Sequence, residues 1–512
     1  MVCRRERQQR RIALCTDILY PVNTYLLTFP MKKIILLLLL PFSLFSQQNK
    51  KEINELIRKV ETNLAPTIIY GDTIPQWNME DRMKVSGAKG LSIAVIRNYK
   101  IEWAKGYGFA DEAENRKVNT STRFQAASIS KSLNSLGILK LVDQGKLDPE
   151  ADINTYLKGW KFPYDSLSKN KKINVYNLLS HTAGLTIHGF PGYERSDTFP
   201  SVQQILDGER PANTKAVRSA FEPGTKFQYS GGGTTISQLL PTSITGLNYD
   251  EYMLEQVLKP LDMANSSYKQ PPTDTSNLAT GYYKNGKSVK GKYHVYPEQA
   301  AAGLWTTPTD LAKYIIECQL AFESKSAKVL SPPTMKKRLT PFIDSTVGLG
   351  VFIENRAGIK YFNHNGGNEA FLCTTYGSMQ GGNGVVIMIN GEDFGVVSEV
   401  LNSVARVYDW KGFYKPIFKK LTIVPQDTLK KFVGNFKLLQ DTLTIKFCGK
   451  NLCIIQNGQP GEGYKMIFSD ISTFGVAEVP DANFRVLYNK EGMVDAMELT
   501  QGGRKLRLSK LN

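Results

Sequence analysis

Phe124-Gln-Ala-Ala-Ser128-Ile-Ser-Lys131 runs straight into an apolar pattern in which Leu133, Leu136, Leu139 and Val142 recur at helical spacing before Gly145 ends the segment. Ser128 and Lys131 are three residues apart, so a helix brings both side chains to one face, one turn apart. The start of a helix also supplies free backbone N–H groups and a field that favours a developing oxyanion. A serine hydroxyl needs a base, and a buried lysine becomes one when desolvation lowers its pKa. Ser-x-x-Lys alone is a weak signal, since an ordinary surface Ser and Lys satisfy it. It recurs at Ser86–Lys89, Ser166–Lys169, Ser168–Lys171 and Ser266–Lys269. Those copies sit in polar or loop-like text, and Ser128 alone opens a buried-looking helix.

A proton relay is expected at Tyr229. Pro223-Gly-Thr-Lys-Phe-Gln-Tyr229-Ser-Gly-Gly-Gly233 ends a loop and leads into a helical pattern through Ile236, Leu239 and Leu240. A phenol at such a junction can face a cleft, and beside a cationic lysine its pKa is expected to fall. The commoner fate of a tyrosine is the core, with a satisfied hydroxyl. A third element, Asn363-His364-Asn365-Gly366-Gly367, stands before a strand-like run from Ala370. Glycines beside a strand allow close backbone approach, and an N–H at Gly367 can join that of Ser128 in an oxyanion hole.

Outward from these segments the chain divides into parts. Lys32-Lys33, an apolar run Ile34–Phe45 and Ser46 resemble a signal peptide that starts at Met31, with residues 1–46 as upstream extension plus leader. The run is too short for a comfortable membrane span. The expected location is therefore periplasmic or extracellular, with no stable membrane span after cleavage. Leu91–Ile96 and Ile101–Gly106 fit a β-hairpin, and strands return near 348–395 after a largely helical, loop-rich middle. Residues 47–415 are read as one α/β domain whose sheet joins its two ends. From Pro425, short alternating segments (Leu443–Phe447, Leu452–Ile455, Phe484–Tyr488, Ala496–Leu499 and Lys505–Leu508) predict a separate antiparallel β domain over 425–512, a meander or small barrel.

Together the three motifs resemble the serine β-lactamase-related superfamily: class C β-lactamases, D-Ala-D-Ala carboxypeptidases, D-aminopeptidases and esterases of the same fold. The resemblance runs from about Gly90 to about Asp409. Ser128-Ile-Ser-Lys131 is similar to the first motif of that family, Tyr229-Ser-Gly231 to Tyr-x-Asn, and His364-Asn-Gly366 to Lys-Thr-Gly or His-x-Gly. Asn177–Leu185, Gly145–Asp148 and Ala302–Leu311 resemble supporting segments. The resemblance implies an antiparallel sheet flanked by helices, a helical subdomain and a site between them. It implies Ser128 as nucleophile, Lys131 and Tyr229 as proton-transfer groups, and Ser128 and Gly367 as oxyanion donors. His364 and Gly366 would line the substrate site, and His181 would be structural. Two departures matter: Gly231 replaces an amide side chain, and His364 stands where most penicillin-recognising members have lysine. Both tilt the expectation from β-lactam hydrolysis toward an esterase or a peptidase of D-amino-acid substrates. A sensor that acylates without turnover, and a non-catalytic cell-wall-binding scaffold, are the alternatives.

Composition bounds the partners. The chain carries 64 Lys and Arg against 47 Asp and Glu, a net +17. Seven of those basic and two of the acidic residues lie in 1–46, which leaves +12. No nucleic-acid fold signature accompanies that charge, so a solvated basic surface is expected and nucleic acid is not. The expected substrate is a small molecule or peptide, cell-wall-derived ones included. His181, His188, His294 and His364 show no zinc-protease spacing, and no metal or cofactor is expected. Cys448 and Cys453 flank a hairpin-like turn and could pair across it or serve as small apolar residues.

Overall fold

The computed structural model describes residues 50–438, 441–456, 463–476, 479–501 and 504–511. The expected leader lies outside them. From Glu55 to the end the chain forms one compact unit.

Seven antiparallel strands make the main sheet, in the order Arg116–Lys117, Lys100–Asp111, Gly90–Arg97, Gly384–Ile389, Phe371–Ser378, Ile359–Asn368 and Phe352–Arg356. The two ends of the domain meet in its centre, where Ala94 pairs with Val386 and Ser92 with Met388. Gly384–Ile389 is apolar on both faces and buried throughout, as a covered central strand must be. Val386 and Met388 join the core shared with Leu311 and Ile315 of the helix Pro308–Phe322. The intervening Val385, Ile387 and Ile389 are equally buried, on the side where the helix Phe394–Val407 packs. The helices Ser130–Asp143 and Gly231–Thr245 and their loops form the helical part against one face. The helix Ser130–Asp143 is buried nearly all round, with Leu133, Leu136, Ile138 and Leu141 fully enclosed.

The C-terminal domain closes on itself. Eight antiparallel strands from Gly434–Leu438 to Arg504–Lys510 form a barrel, the last pairing with the first through Phe436 and Lys510. Alternate residues point inward: Leu443 and Ile445, Leu452 and Ile454, Phe484 and Val486, Met497 and Leu499, the period-two pattern of a small filled barrel. Phe474 and Phe484 stack at its heart, 4.8 Å apart. Cys448 and Cys453 are joined as a disulfide within one of its hairpins. Closure leaves no sheet edge open to pairing. The connection before the barrel is tied on both sides: Ile417–Lys419 pairs in parallel with Ile68–Tyr70, and the Thr422 N–H donates to the Phe468 carbonyl.

Candidate active site

Ser128 lies in a single 3₁₀ turn, Ala127–Ile129, and the α-helix begins at Ser130. The sequence placed Ser128 on the α-helix itself; the tighter turn precedes it because the backbone turns sharply out of the strand Phe124–Gln125. Ala127 adopts φ +47°, a conformation rarely taken outside glycine. The turn is pinned from several directions. The Ala126 N–H donates to the Leu304 carbonyl at 2.8 Å. The Leu304 N–H donates to Ser130 Oγ at 3.0 Å, and the Tyr268 hydroxyl donates to the Ser130 carbonyl at 2.7 Å.

Lys131 is 3% exposed. Its Nζ lies 3.0 Å from Ser128 Oγ and donates to the Ala301 carbonyl at 2.6 Å. Burial lowers its pKa from 10.5 to about 7, because an ammonium out of water is costly. Near neutral pH a large share of the molecules therefore carries a neutral amine whose lone pair can accept the Ser128 proton. Ser128 and Lys131 are thus brought together, with the lysine buried.

Tyr229 completes the group. Ser230 caps the helix Gly231–Thr245, its Oγ accepting the Gly233 N–H at 2.9 Å and donating to the Thr186 carbonyl at 2.8 Å. That cap leaves Tyr229 at the loop end, with its hydroxyl facing Ser128 closely enough to be influenced by it and its ring 5.1 Å from Lys131 Nζ. The expected fall in the Tyr229 pKa does not occur. Burial raises it, the neighbouring Ser128 offsetting only part. The expectation took Lys131 to be cationic, whereas the burial that lowers the Lys131 pKa also deprives a Tyr229 phenolate of water.

Histidines surround that phenol. The rings of His181, His188 and His364 lie 4.3, 4.8 and 6.2 Å from the Tyr229 ring. His181 is buried, accepts the Ser230 N–H at Nδ1 (3.2 Å), and so braces the Tyr229 segment, in keeping with a structural part. Burial and the nearby Lys131 hold it well below the usual imidazole range. His364, also buried, has its pKa lowered to about 3, first by desolvation and then by Lys131. Its Nδ1 lies 2.6 Å from the Asn365 carbonyl. A carbonyl only accepts, so Nδ1 carries the proton and Nε2 presents a lone pair. That Nε2 has no hydrogen-bond partner among the described residues.

His364 to Gly367 stand before the strand Phe371–Ser378, as expected, but themselves lie inside a further strand, Ile359–Asn368, which the sequence reading did not assign; the two pair through Gly367 and Leu372. The glycines concealed the further strand, since they weaken a strand pattern. Gly366 is where that strand meets the Ser128 turn: a Cβ there would lie 2.4 Å from the Ala126 carbonyl oxygen and 2.5 Å from Cys373 Sγ. Gly366→Ala is therefore expected to push the strand off the turn, at a cost of about 1–3 kcal/mol. A lowered Tm in thermal unfolding would show it; an unchanged Tm would contradict this packing. Asn368, at the strand end, donates to Gln125 Oε1 and to the Ala302 carbonyl. Gly231 also has a steric reason. A Cβ at that position would come within 3.0 Å of the His188 carbonyl and of the Phe190 ring, so the loop 188–190 occupies the space where an amide side chain would stand.

Ser128, Lys131, Tyr229, His364 and Gly367 line one cavity of about 1070 Å³. Sequence reasoning missed the aromatic side chains that share it, Phe190, Phe227 and Phe352, and also His188. They come from loops and a strand start, where no periodic pattern marks them. Among the described residues no group of His, Cys, Asp or Glu is arranged to hold a metal ion, and no helix is long and apolar enough to cross a membrane.

Comparisons with known proteins agree with this geometry. The chain is 28% identical over 269 residues to "Protein flp" of Staphylococcus aureus (strain N315), covering 51% of this chain and 50% of that protein. It thus spans about half the length of the curated relatives it matches. Its fold resembles the octameric penicillin-binding protein homologue from Pyrococcus abyssi, with TM-score 0.57, 19% identity, and coverage of 84% of this chain and 98% of that one. It also resembles the D-amino acid amidase from Ochrobactrum anthropi SV3, with TM-score 0.55, 20% identity, and coverage of 69% and 99%. The Beta-lactamase family model matches residues 77–407, the stretch that carries the sheet, the Ser128 turn, Tyr229 and His364; the chain belongs to the beta-lactamase family.

Proposed function

We propose that this serine hydrolase works through an acyl-enzyme on Ser128, with Lys131 as base and Tyr229 as proton relay, and that it acts on esters or amides rather than on β-lactams. The observation that carries this is the desolvated Lys131 amine 3.0 Å from Ser128 Oγ, in a cavity wide enough for a substrate. Ser128 Oγ attacks the substrate carbonyl carbon while its proton passes to Lys131 Nζ. The N–H groups of Ser128 and Gly367 receive the negative charge on the former carbonyl oxygen. The bond to the leaving group then breaks, and that group takes the proton from Lys131 by way of the Tyr229 hydroxyl. Water attacks the resulting ester and gives a proton to Lys131, which returns it to Ser128 Oγ as the acid departs. The leader pattern at 31–46 supports an exported, periplasmic or extracellular enzyme with small-molecule or peptide substrates.

A fluorophosphonate probe, followed by mass spectrometry of the labelled peptide, tests this reading. Alongside it runs a panel of p-nitrophenyl esters, a D-Ala-D-Ala peptide, a D-amino-acid anilide and a chromogenic cephalosporin. Label on Ser128 with turnover of an ester or amide is expected. Label without turnover would indicate an acylated sensor, and absence of label would favour a binding scaffold.

A further inference from the structure

The cavity walls differ sharply in chemistry. On one side the Phe352 ring stacks on Tyr229, 6.3 Å away and 13° from parallel, and Phe227 meets Phe352 edge-on. Phe190 extends the same lining. Such a surface gains most by covering an apolar group.

The positive charges on the walls are already committed. Arg356 Nη2 lies 2.8 Å from Glu354 Oε2, and its Nη1 donates to the Phe413 carbonyl at 2.8 Å. Glu354 lines the cavity too, so the pair leaves that side without net charge. The Lys131 amine is held between Ser128 and the Ala301 carbonyl. His364 spends its N–H on the Asn365 carbonyl, and its buried Nε2 has no partner among the described residues. Its ring sits 5.2 Å from Phe352 and 6.2 Å from Tyr229. A carboxylate entering here would meet phenyl faces, the neutralised Arg356–Glu354 pair and a His364 ring whose N–H is already engaged, and would lose its water without gaining a free cation. His188 is the remaining imidazole of the lining, exposed and tilted 45° against the Tyr229 ring.

We propose that the site selects neutral substrates, with a bulky apolar or aromatic acyl group and no carboxylate beside the scissile bond. The proposal rests on acyl transfer at Ser128 as set out above.

Two phenylacetyl thioesters test it, one of thioglycolate and one of thioglycolamide, which differ only in carboxylate against carboxamide; the acetyl thioester of thioglycolamide is the third substrate. Assays run at about pH 8, where an ordinary imidazole is neutral. The carboxamide is expected to exceed the carboxylate in kcat/KM by about tenfold or more, and phenylacetyl to exceed acetyl by a similar factor. A carboxylate hydrolysed as fast or faster overturns the selection against charge. An acetyl thioester hydrolysed as fast overturns the apolar acyl preference. Intact-mass measurement of fluorophosphonate labelling separates the two levels. If Ser128 takes the probe but no thioester acylates it, the substrate class fails while the hydrolase stands; if Ser128 refuses the probe, the hydrolase mechanism itself fails.

Discussion

Ser128→Ala is expected to lower turnover of every ester the enzyme hydrolyses by a factor on the order of 10³ or more, leaving only what the cavity and the oxyanion donors contribute. The fold should not notice. Ser128 contributes one hydroxyl at a half-buried turn, and Lys131 keeps its bond to the Ala301 carbonyl when that hydroxyl is gone. The turn is held by Ala126, Ser130, Leu304 and Tyr268 through backbone and side-chain bonds that do not involve Ser128 Oγ. Thermal unfolding of the variant should therefore overlay that of the wild type. A variant that keeps its Tm and its activity would remove Ser128 from the mechanism.

Lys131→Met should do the opposite to the two readouts. It removes the base, and a general base contributes roughly 10²–10⁴ in rate. It also removes a group that the folded state holds at a cost. Lys131 titrates at about 7 when folded, against about 10.4 in an unfolded chain. Below 7 both states carry the proton, so the folded protein bears the full cost of the buried ammonium. Between about 7 and 10.4 the unfolded chain binds more protons, and stability rises with pH. Methionine fills a similar volume without the charge. The variant should be more stable than the wild type, by an amount on the order of 3–5 kcal/mol at or below neutral pH, fading above about pH 10. Parallel melting curves across that range would check it. A variant less stable at pH 6 than at pH 10, relative to wild type, would contradict the buried-amine account. Activity and stability pull apart at this residue because the desolvation that keeps the amine neutral and ready to accept a proton is itself a strain on the fold.

The sequence made some parts of this molecule legible because one physical signal dominated there. Ser128 and Lys131 were readable because a helix fixes their spacing and the apolar residues after them fix their burial. The barrel strands Asp441–Cys448 and Val494–Gln501 were readable because a filled barrel imposes strict alternation. Tyr464–Phe468 and Thr473–Val476 are too short for that alternation to stand out. The strand under His364 was hidden by the two glycines that let it approach the nucleophile turn. The direction of the Tyr229 pKa was misjudged because it depends on two coupled facts, burial and the protonation of Lys131, and the sequence speaks to neither directly. The aromatic wall was not readable at all: Phe190, Phe227 and Phe352 lie far apart in the chain, and only the fold brings them to one cavity.

The central claim is that a neutral Lys131 activates Ser128, and the pH dependence of Ser128 labelling by the fluorophosphonate tests it most directly. The labelling rate of the wild type should climb through a single limb with its midpoint at about 7, as Lys131 loses its proton, and Lys131→Met should lower the rate and abolish the limb. A rate that stays flat across that range, or a limb that survives in Lys131→Met, would show that some other group takes the proton from Ser128.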